Sequence, residues 1–243
     1  MAFDYRFLLC HPISVRTSRL QRRYLARRLE ILRAAGREFR TRGYAETGMR
    51  EIAAAADLSP ANLYNYFRGK DEILFFCQDN ALGRLIANLD RTRRTRSSAT
   101  ERLRAVIVFH LHCVLDEVEG SAAHLLINSI PPDFQKRLLA KRDRYEHGVR
   151  QLIAAGIRST AFLPTDPALT ARAILGTLNS TIAWFSPRGP LSTEELAESF
   201  ATYLIRGLCN GRATTQRTRS GRSLDRSAVS TNKKLARTGD PQW

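Results

Sequence analysis

The side chains in this chain best suited to chemistry lie between Ser59 and Lys70, in the stretch SPANLYNYFRGK, and their chemistry is recognition, not bond breaking. Ser59 followed by Pro60 is a helix start, because the hydroxyl accepts an otherwise orphan backbone N–H and proline is tolerated in the first turn. The pattern predicts a helix from Pro60 to about Phe67. On it Leu63 and Phe67 stand one turn apart and face inward, whereas Ala61, Asn62 and Asn65 point the opposite way, with Tyr64 and Tyr66 on the flanks. The outward face is amide and phenol, without a carboxylate. Such a face suits the major groove of DNA: Asn pairs with the adenine edge, Tyr reaches a phosphate or a thymine methyl, and a small Ala allows close approach. The plainer alternative is a helical hairpin with a polar exposed side.

The neighbouring segments must hold that face in place. Met49 to Ala56 is built of helix formers with Ile52 and Ala56 four apart on one side, and Asp57-Leu58 interrupts it, so two short helices flank a tight turn. Before them, Leu25, Leu29, Leu32, Ala35 and Phe39 recur in helical period from about Arg19 to Arg42, with Gly43 as the stop and Phe39 as the expected anchor of a small three-helix core. Gly69 ends the second short helix and Lys70 opens the next.

This region resembles the DNA-binding domain of the TetR/AcrR family of bacterial repressors. The resemblance rests on Ile31-Leu32, Ala34-Ala35, Phe39, Gly43-Tyr44, Arg50-Glu51-Ile52-Ala53, Ser59, Leu63-Tyr64, Tyr66-Phe67 and Lys70, in register over about forty residues. It implies that Pro60, Ala61, Tyr64 and Asn65 touch base edges or their surroundings. It also implies that Thr47, Arg50, Tyr66 and Lys70 hold phosphates. Ser59 and Asn62 complete the candidate DNA-binding set. Gly48 stands where the family often has a capping Thr, a weaker cap that Glu51 can assist from the third position. Pro60-Ala61 and Asn65 replace the family's frequent Lys-Gly and His, so the operator sequence does not carry over from a relative.

The 243 residues, 43% of them hydrophobic, allow two domains with a sizeable core. The net charge of +16 sits mainly at the ends: seven Arg against one Asp from Met1 to Arg28, and eight Lys or Arg against two Asp from Arg212 to Trp243. That balance favours a polyanionic partner, nucleic acid ahead of a membrane surface. Asp4 and a short apolar run argue against a signal peptide, and residues 1–18 read as a disordered leader. Six Arg between Arg16 and Arg28 form an arm suited to phosphates or a minor groove, or simply a solvated helix end. The tail, 212–243, is rich in Ser, Thr, Arg and Gly and too poor in apolar residues to bury a core; it reads as disordered.

From Glu101 onward no strand-like alternation appears, and the fold class is all-α: a three-helix helix-turn-helix domain over 19–70, then a helical effector-binding and dimerisation domain over 71–211. Asp71-Glu72 start a long helix that joins the two. Leu103 to about Glu117 is amphipathic, Ala122 to Ile130 forms a short helix, and Pro131-Pro132 open one that Gly156 stops after Ala155. Asp166-Pro167 start a helix to about Phe185, and Ser192-Thr193-Glu194-Glu195 start the last, to about Cys209. Leu169, Ala173, Gly176 and Ser180, then Leu196, Phe200, Tyr203, Leu204 and Gly207, make these two helices rich in apolar and small residues. The family resemblance implies that the pair forms a four-helix bundle with its twin in a homodimer.

Ala155 to Pro167 and Leu178 to Leu196, with Asn179, Thr181, Trp184-Phe185, Pro187 and Gly189, resemble the C-terminal half of family members that sense acyl-CoA thioesters in lipid catabolism. Of the basic residues expected near the aromatic pair only Arg188 is present, so an unmodified lipophilic molecule is an equal expectation. Phe109, Cys113, Phe134, Asn179 and Trp184 are the candidate ligand-binding residues, lining an aromatic space in which Asn179 would be a buried amide seeking a partner. Each aromatic has ordinary core packing as its alternative.

Catalysis has nothing concrete to rest on. The chain has no Gly-rich phosphate loop, nucleophile elbow or HExxH, and no cofactor is expected. Cys10, Cys77, Cys113 and Cys209 are scattered without metal spacing, as suits a reducing cytoplasm. His110 with Cys113, or His124 with His147, would become metal ligands only through folding, and no metal is assigned. The reading is therefore a cytoplasmic, homodimeric, ligand-responsive transcriptional repressor that binds a palindromic double-stranded operator and no membrane. The alternatives are a non-specific architectural DNA binder, or a metabolite-binding protein without operator specificity.

Overall fold

Prolines and short polar side chains decide where the helices of this chain begin. The computed structural model describes residues 19–115 and 130–209, and among these it contains eight helices and no strand. They are α1 (Arg19–Arg42), α2 (Met49–Ala55), α3 (Pro60–Tyr64), α4 (Lys70–Arg93), α5 (Ala99–Leu115), α6 (Pro132–Arg158), α7 (Pro167–Trp184) and α8 (Thr193–Leu208). The leader, residues 116–129 with most of the expected short helix, and the tail lie outside the described residues.

The starts follow the capping chemistry. Asp166 accepts the Ala168 N–H at 2.8 Å ahead of Pro167. Ser192 and Glu195 exchange caps, the Glu195 N–H donating to Ser192 Oγ at 3.2 Å and the Ser192 N–H to Glu195 Oε2 at 2.9 Å. Ser98 and Glu101 do the same at the start of α5. These backbone and hydroxyl donors hold the Glu101 and Glu195 carboxyls below their ordinary range.

Long α4 is common to both halves of the molecule. Its first turns bury Ile73, Leu74 and Phe75 near α1 and the helix-turn-helix, and its later turns bury Leu82, Leu85 and Leu89 among α5 and α6. α6 approaches α4 closely enough that a Cβ at Gly148 would lie 2.3 Å from Leu89 Cδ2. The described helices thus share one core, in which α4 is the continuous member.

Gly156 does not stop α6. The helix continues to Arg158, and Gly156 is a site of close approach instead: the buried Phe162 ring folds back over it, where a Cβ would fall 2.1 Å from Phe162 Cδ2. Thr160 makes the turn at φ 58°, and the N–H groups of Ala161 and Phe162 both donate to the Gly156 carbonyl, at 2.9 and 3.2 Å. A β-branched residue in the left-handed region is strained, so the inserted phenyl ring must hold it there. Gly156→Ala gains helix propensity but overpacks this contact. It should lower stability by about 1–3 kcal/mol, seen as a lower midpoint in thermal unfolding; an unchanged or higher midpoint would show that the Phe162 ring yields freely.

Candidate nucleic-acid interface and effector cleft

The five residues of α3 cannot hold a helix by themselves, and its position comes from the side it buries. Leu63 and Phe67 are almost completely enclosed, and on the other side Pro60, Ala61, Asn62, Tyr64 and Asn65 are exposed, Tyr64 by 54%. Ser59 Oγ accepts the Asn62 N–H at 3.2 Å, so the predicted cap forms. The helix is shorter than expected. It ends at Tyr64 because the chain tightens, the Asn65 N–H donating to Asn62 O at 3.2 Å and the Tyr66 N–H to Leu63 O at 2.9 Å. Phe67 still reaches the core from that tightened turn.

Contacts from outside the motif fix its angle. Asp57 turns the chain between α2 and α3 at φ 52°, a conformation Asp tolerates better than most residues. Arg27 of α1 donates to the carbonyls of Ala56 and Asp57 at 3.0 and 3.2 Å, satisfying oxygens that α2 leaves open at its end. Arg28 lies over the rings of Phe67 and Phe76 at 4.6 and 4.2 Å. Tyr66 stacks on Tyr24 of α1 with ring centroids 5.2 Å apart. The basic end of α1 thus supports α3, a role that its charge alone did not reveal.

The residues assigned to phosphates divide into three kinds. Arg50 is exposed and Tyr66 half-buried. Lys70 Nζ donates to the carbonyls of Tyr44 and Ala45 at 3.2 and 3.4 Å and sits 4.6 Å from the Tyr44 ring centre, at the mouth of the motif. The Tyr44 hydroxyl in turn donates to Asp71, and burial with that hydrogen bond raises its pKa. Thr47 departs from expectation, for it is fully buried and its hydroxyl donates to Gly43 O at 2.7 Å. Its side chain is committed to the turn after α1, so a phosphate can meet only its surroundings. Gly48 caps α2 without a side chain, and Glu51 supplies the help foreseen, accepting the Gly48 N–H at 3.0 Å. Hydrogen bonds from the Glu51 and Gly48 backbone hold the Glu51 carboxyl below its usual range.

Among the described residues, the five named side chains of the helical half do not converge on one aromatic space. Phe134 stacks on Phe75 at 4.4 Å, Arg84 lies 5.9 Å from the Phe109 ring, and the Cys113 thiol donates to Ala81 O at 3.7 Å. Trp184 is 54% exposed beside Phe200. Asn179 is exposed rather than buried, so the argument from a buried amide falls, yet its Oδ1 lies 3.1 Å from His110 Nε2. It lines a cleft of about 250 Å³ with Leu82, Leu85, His110, Tyr145 and Leu175, and with Arg142 and Arg172 among its charged residues.

His110, buried at the edge of this cleft, links its polar residues Tyr145 and Asn179, and sequence reasoning missed that linkage because the partners lie 35 and 69 residues away. Asn179 Oδ1 can only accept, so Nε2 carries the proton and Nδ1 accepts from the Tyr145 hydroxyl at 3.2 Å. Burial lowers the His110 pKa from 6.5 to about 4 despite the opposing Asn179 hydrogen bond, and burial raises that of Tyr145. A histidine with a depressed folded-state pKa stabilises fully above its unfolded value, and its contribution is lost as pH falls from 6.5 toward 4. At pH 5 the loss should be roughly 2 kcal/mol. Denaturant unfolding of His110→Gln at pH 7 and pH 5 should show a flatter pH dependence than the parent; equal slopes would contradict a buried neutral imidazole.

Comparison with known proteins accords with this geometry. The family model "Bacterial regulatory proteins, tetR family" matches residues 31–75, and "Tetracyclin repressor-like, C-terminal domain" matches residues 96–208. The crystal structure of PfmR, a TetR family transcriptional regulator from Thermus thermophilus, is 32% identical and superposes with a TM-score of 0.68, over 74% of this chain and 99% of that one. AibR, crystallised with isovaleryl coenzyme A and operator DNA, is 25% identical with a TM-score of 0.64, over 74% of this chain and 98% of its own. The transcriptional repressor KstR2 of Mycolicibacterium smegmatis is 25% identical over 190 residues, covering 75% of this chain and 91% of the relative. With its helix-turn-helix, its all-α C-terminal half and these relatives, the chain belongs to the TetR family and is a DNA-binding transcriptional regulator.

Proposed function

We propose that the protein is a homodimeric repressor whose two copies of α3 read half-sites about one duplex turn apart on a palindromic operator. The observation that carries this reading is the exposed, carboxylate-free face of Pro60, Ala61, Asn62, Tyr64 and Asn65 on a helix whose other side is fully enclosed. Asn62, Tyr64 and Asn65 meet base edges, Pro60 and Ala61 admit the groove wall, and Ser59 fixes the start of the helix. Arg50, Tyr66 and Lys70 hold phosphates, with Thr47 shaping the turn beside them.

The dimer is supported by the outer faces of α7 and α8. Leu169 and Tyr203 are each 68% exposed, and Ala173, Gly176, Ser180, Trp184 and Gly207 are exposed in the same helices. No Cβ would meet an obstacle at Gly176 or Gly207, so another helix can approach closely there. A twin copy covers an apolar surface that water would otherwise meet.

The effector enters the cleft at His110, Tyr145 and Asn179, whose leucines suit a lipophilic body and whose imidazole and amide suit one polar group such as a carbonyl. An acyl-CoA is the favoured class, because AibR binds isovaleryl coenzyme A. Binding favours a state in which the two reading heads no longer fit the operator, and the repressor leaves its site in the cytoplasm.

Tyr64→Ala and Asn65→Ala should each remove about 1–3 kcal/mol of operator discrimination while size-exclusion chromatography still finds a dimer. Unchanged footprints would refute the proposed reading face. Arg50→Ala should instead weaken binding to every sequence and reduce the slope of log affinity against log salt by about 1. A loss confined to one sequence would contradict a phosphate role for Arg50.

A further inference from the structure

A second cleft lies away from both the reading face and His110. It is bounded by the end of α4, the first turn of α5 and the end of α6, has a volume of about 660 Å³, and is lined by Arg93, Arg102 and Arg158 with Ser97, Ala99 and Leu152 among others. Arg93 stands 23 residues along α4 from Lys70, about 34 Å at 1.5 Å per residue, so DNA on α3 does not reach it.

Three observations give this cleft a ligand chemistry. Its basic side chains come from three separate helices, and no lining residue is acidic. None of the three guanidinium groups pairs with a carboxylate among the described residues; Arg93 donates to Gln151, and Arg102 donates to Thr95 O at 2.7 Å. The Arg102 Nε is buried with no hydrogen-bond partner, a donor left unmet at a place where that is costly. The Glu101 carboxylate in the same turn is taken up by the N–H and hydroxyl of Ser98. The carbonyl end of α6 also borders the cleft, and Arg158 offsets it.

From these features we infer that the cleft binds an organic phosphate or diphosphate, its anionic group among Arg93, Arg102 and Arg158 and its organic part along Ala99, Leu152, Ala154 and Ala155. The volume exceeds what a bare phosphate fills and falls in the range of small-molecule sites. Guanidinium groups match phosphate oxygens in fork geometry. The assignment does not depend on what occupies the cleft at His110.

The test is calorimetric titration of the full chain, without DNA, at fixed ionic strength, with inorganic pyrophosphate and with coenzyme A as probes. Both should bind, coenzyme A more tightly, and Arg93→Gln and Arg158→Gln should each weaken both by at least about tenfold, the worth of one charge-assisted hydrogen bond. Arg206→Gln, on exposed α8, should leave both unchanged. Arg102→Gln should behave like the other two if thermal unfolding shows it folded; Arg93 and Arg158 decide the matter if it is not. Absent binding, binding indifferent to Arg93 and Arg158, or coenzyme A binding no tighter than pyrophosphate would overturn the assignment.

Discussion

A helix of five residues is far too short to be stable in water, so everything this protein reads depends on the burial of Leu63 and Phe67 beneath α3. Those two side chains tie the reading face to a core that α1 and α4 complete. Each full burial contributes about 1.5–3 kcal/mol, more than the cap at Ser59 supplies, and both act on the same few residues. The polar face is then oriented as a consequence of what lies beneath it. Arg27 and Arg28 extend this logic: two basic residues of the kind expected to seek DNA are engaged by the carbonyls of Ala56 and Asp57 after α2 and by the rings of Phe67 and Phe76.

The same constraint links α3 to the cleft at His110. Lys70, at the start of α4, holds the loop after α1, while Leu82 and Leu85 of that helix line the cleft at His110. A ligand that shifts α4 therefore acts on the element against which the motif is packed. The helix is continuous and carries no proline between the two places, so no break separates them. This gives the proposed repression a physical route along α4.

Much of this was legible because it is local. Ser59-Pro60, Asp166-Pro167 and Ser192 with Glu195 announce helix starts through bonds made within three residues, and the apolar period of α1 foretold Phe39 in the core. The features that eluded the sequence are long-range. Gly156 looks like a stop because glycine commonly follows a helix; its true reason is a phenyl ring arriving from Phe162. Thr47 looks like a surface hydroxyl until the turn closes around it, and the pairing of His110 with Tyr145 and Asn179 joins three helices that no spacing rule connects. The aromatic residues picked for the pocket found other partners, as apolar side chains do when no polar atom fixes their direction.

The central claim is that the α3 face reads a sequence rather than merely meeting a charge. The most direct measurement is selection of bound genomic fragments by the purified protein at near-physiological salt, in the presence of excess bulk DNA. The account predicts recovery of a palindromic motif whose half-sites lie about one duplex turn apart. Uniform, salt-sensitive retention with no enriched motif would contradict it and would leave the basic ends of the chain, not Tyr64 and Asn65, as the source of DNA affinity.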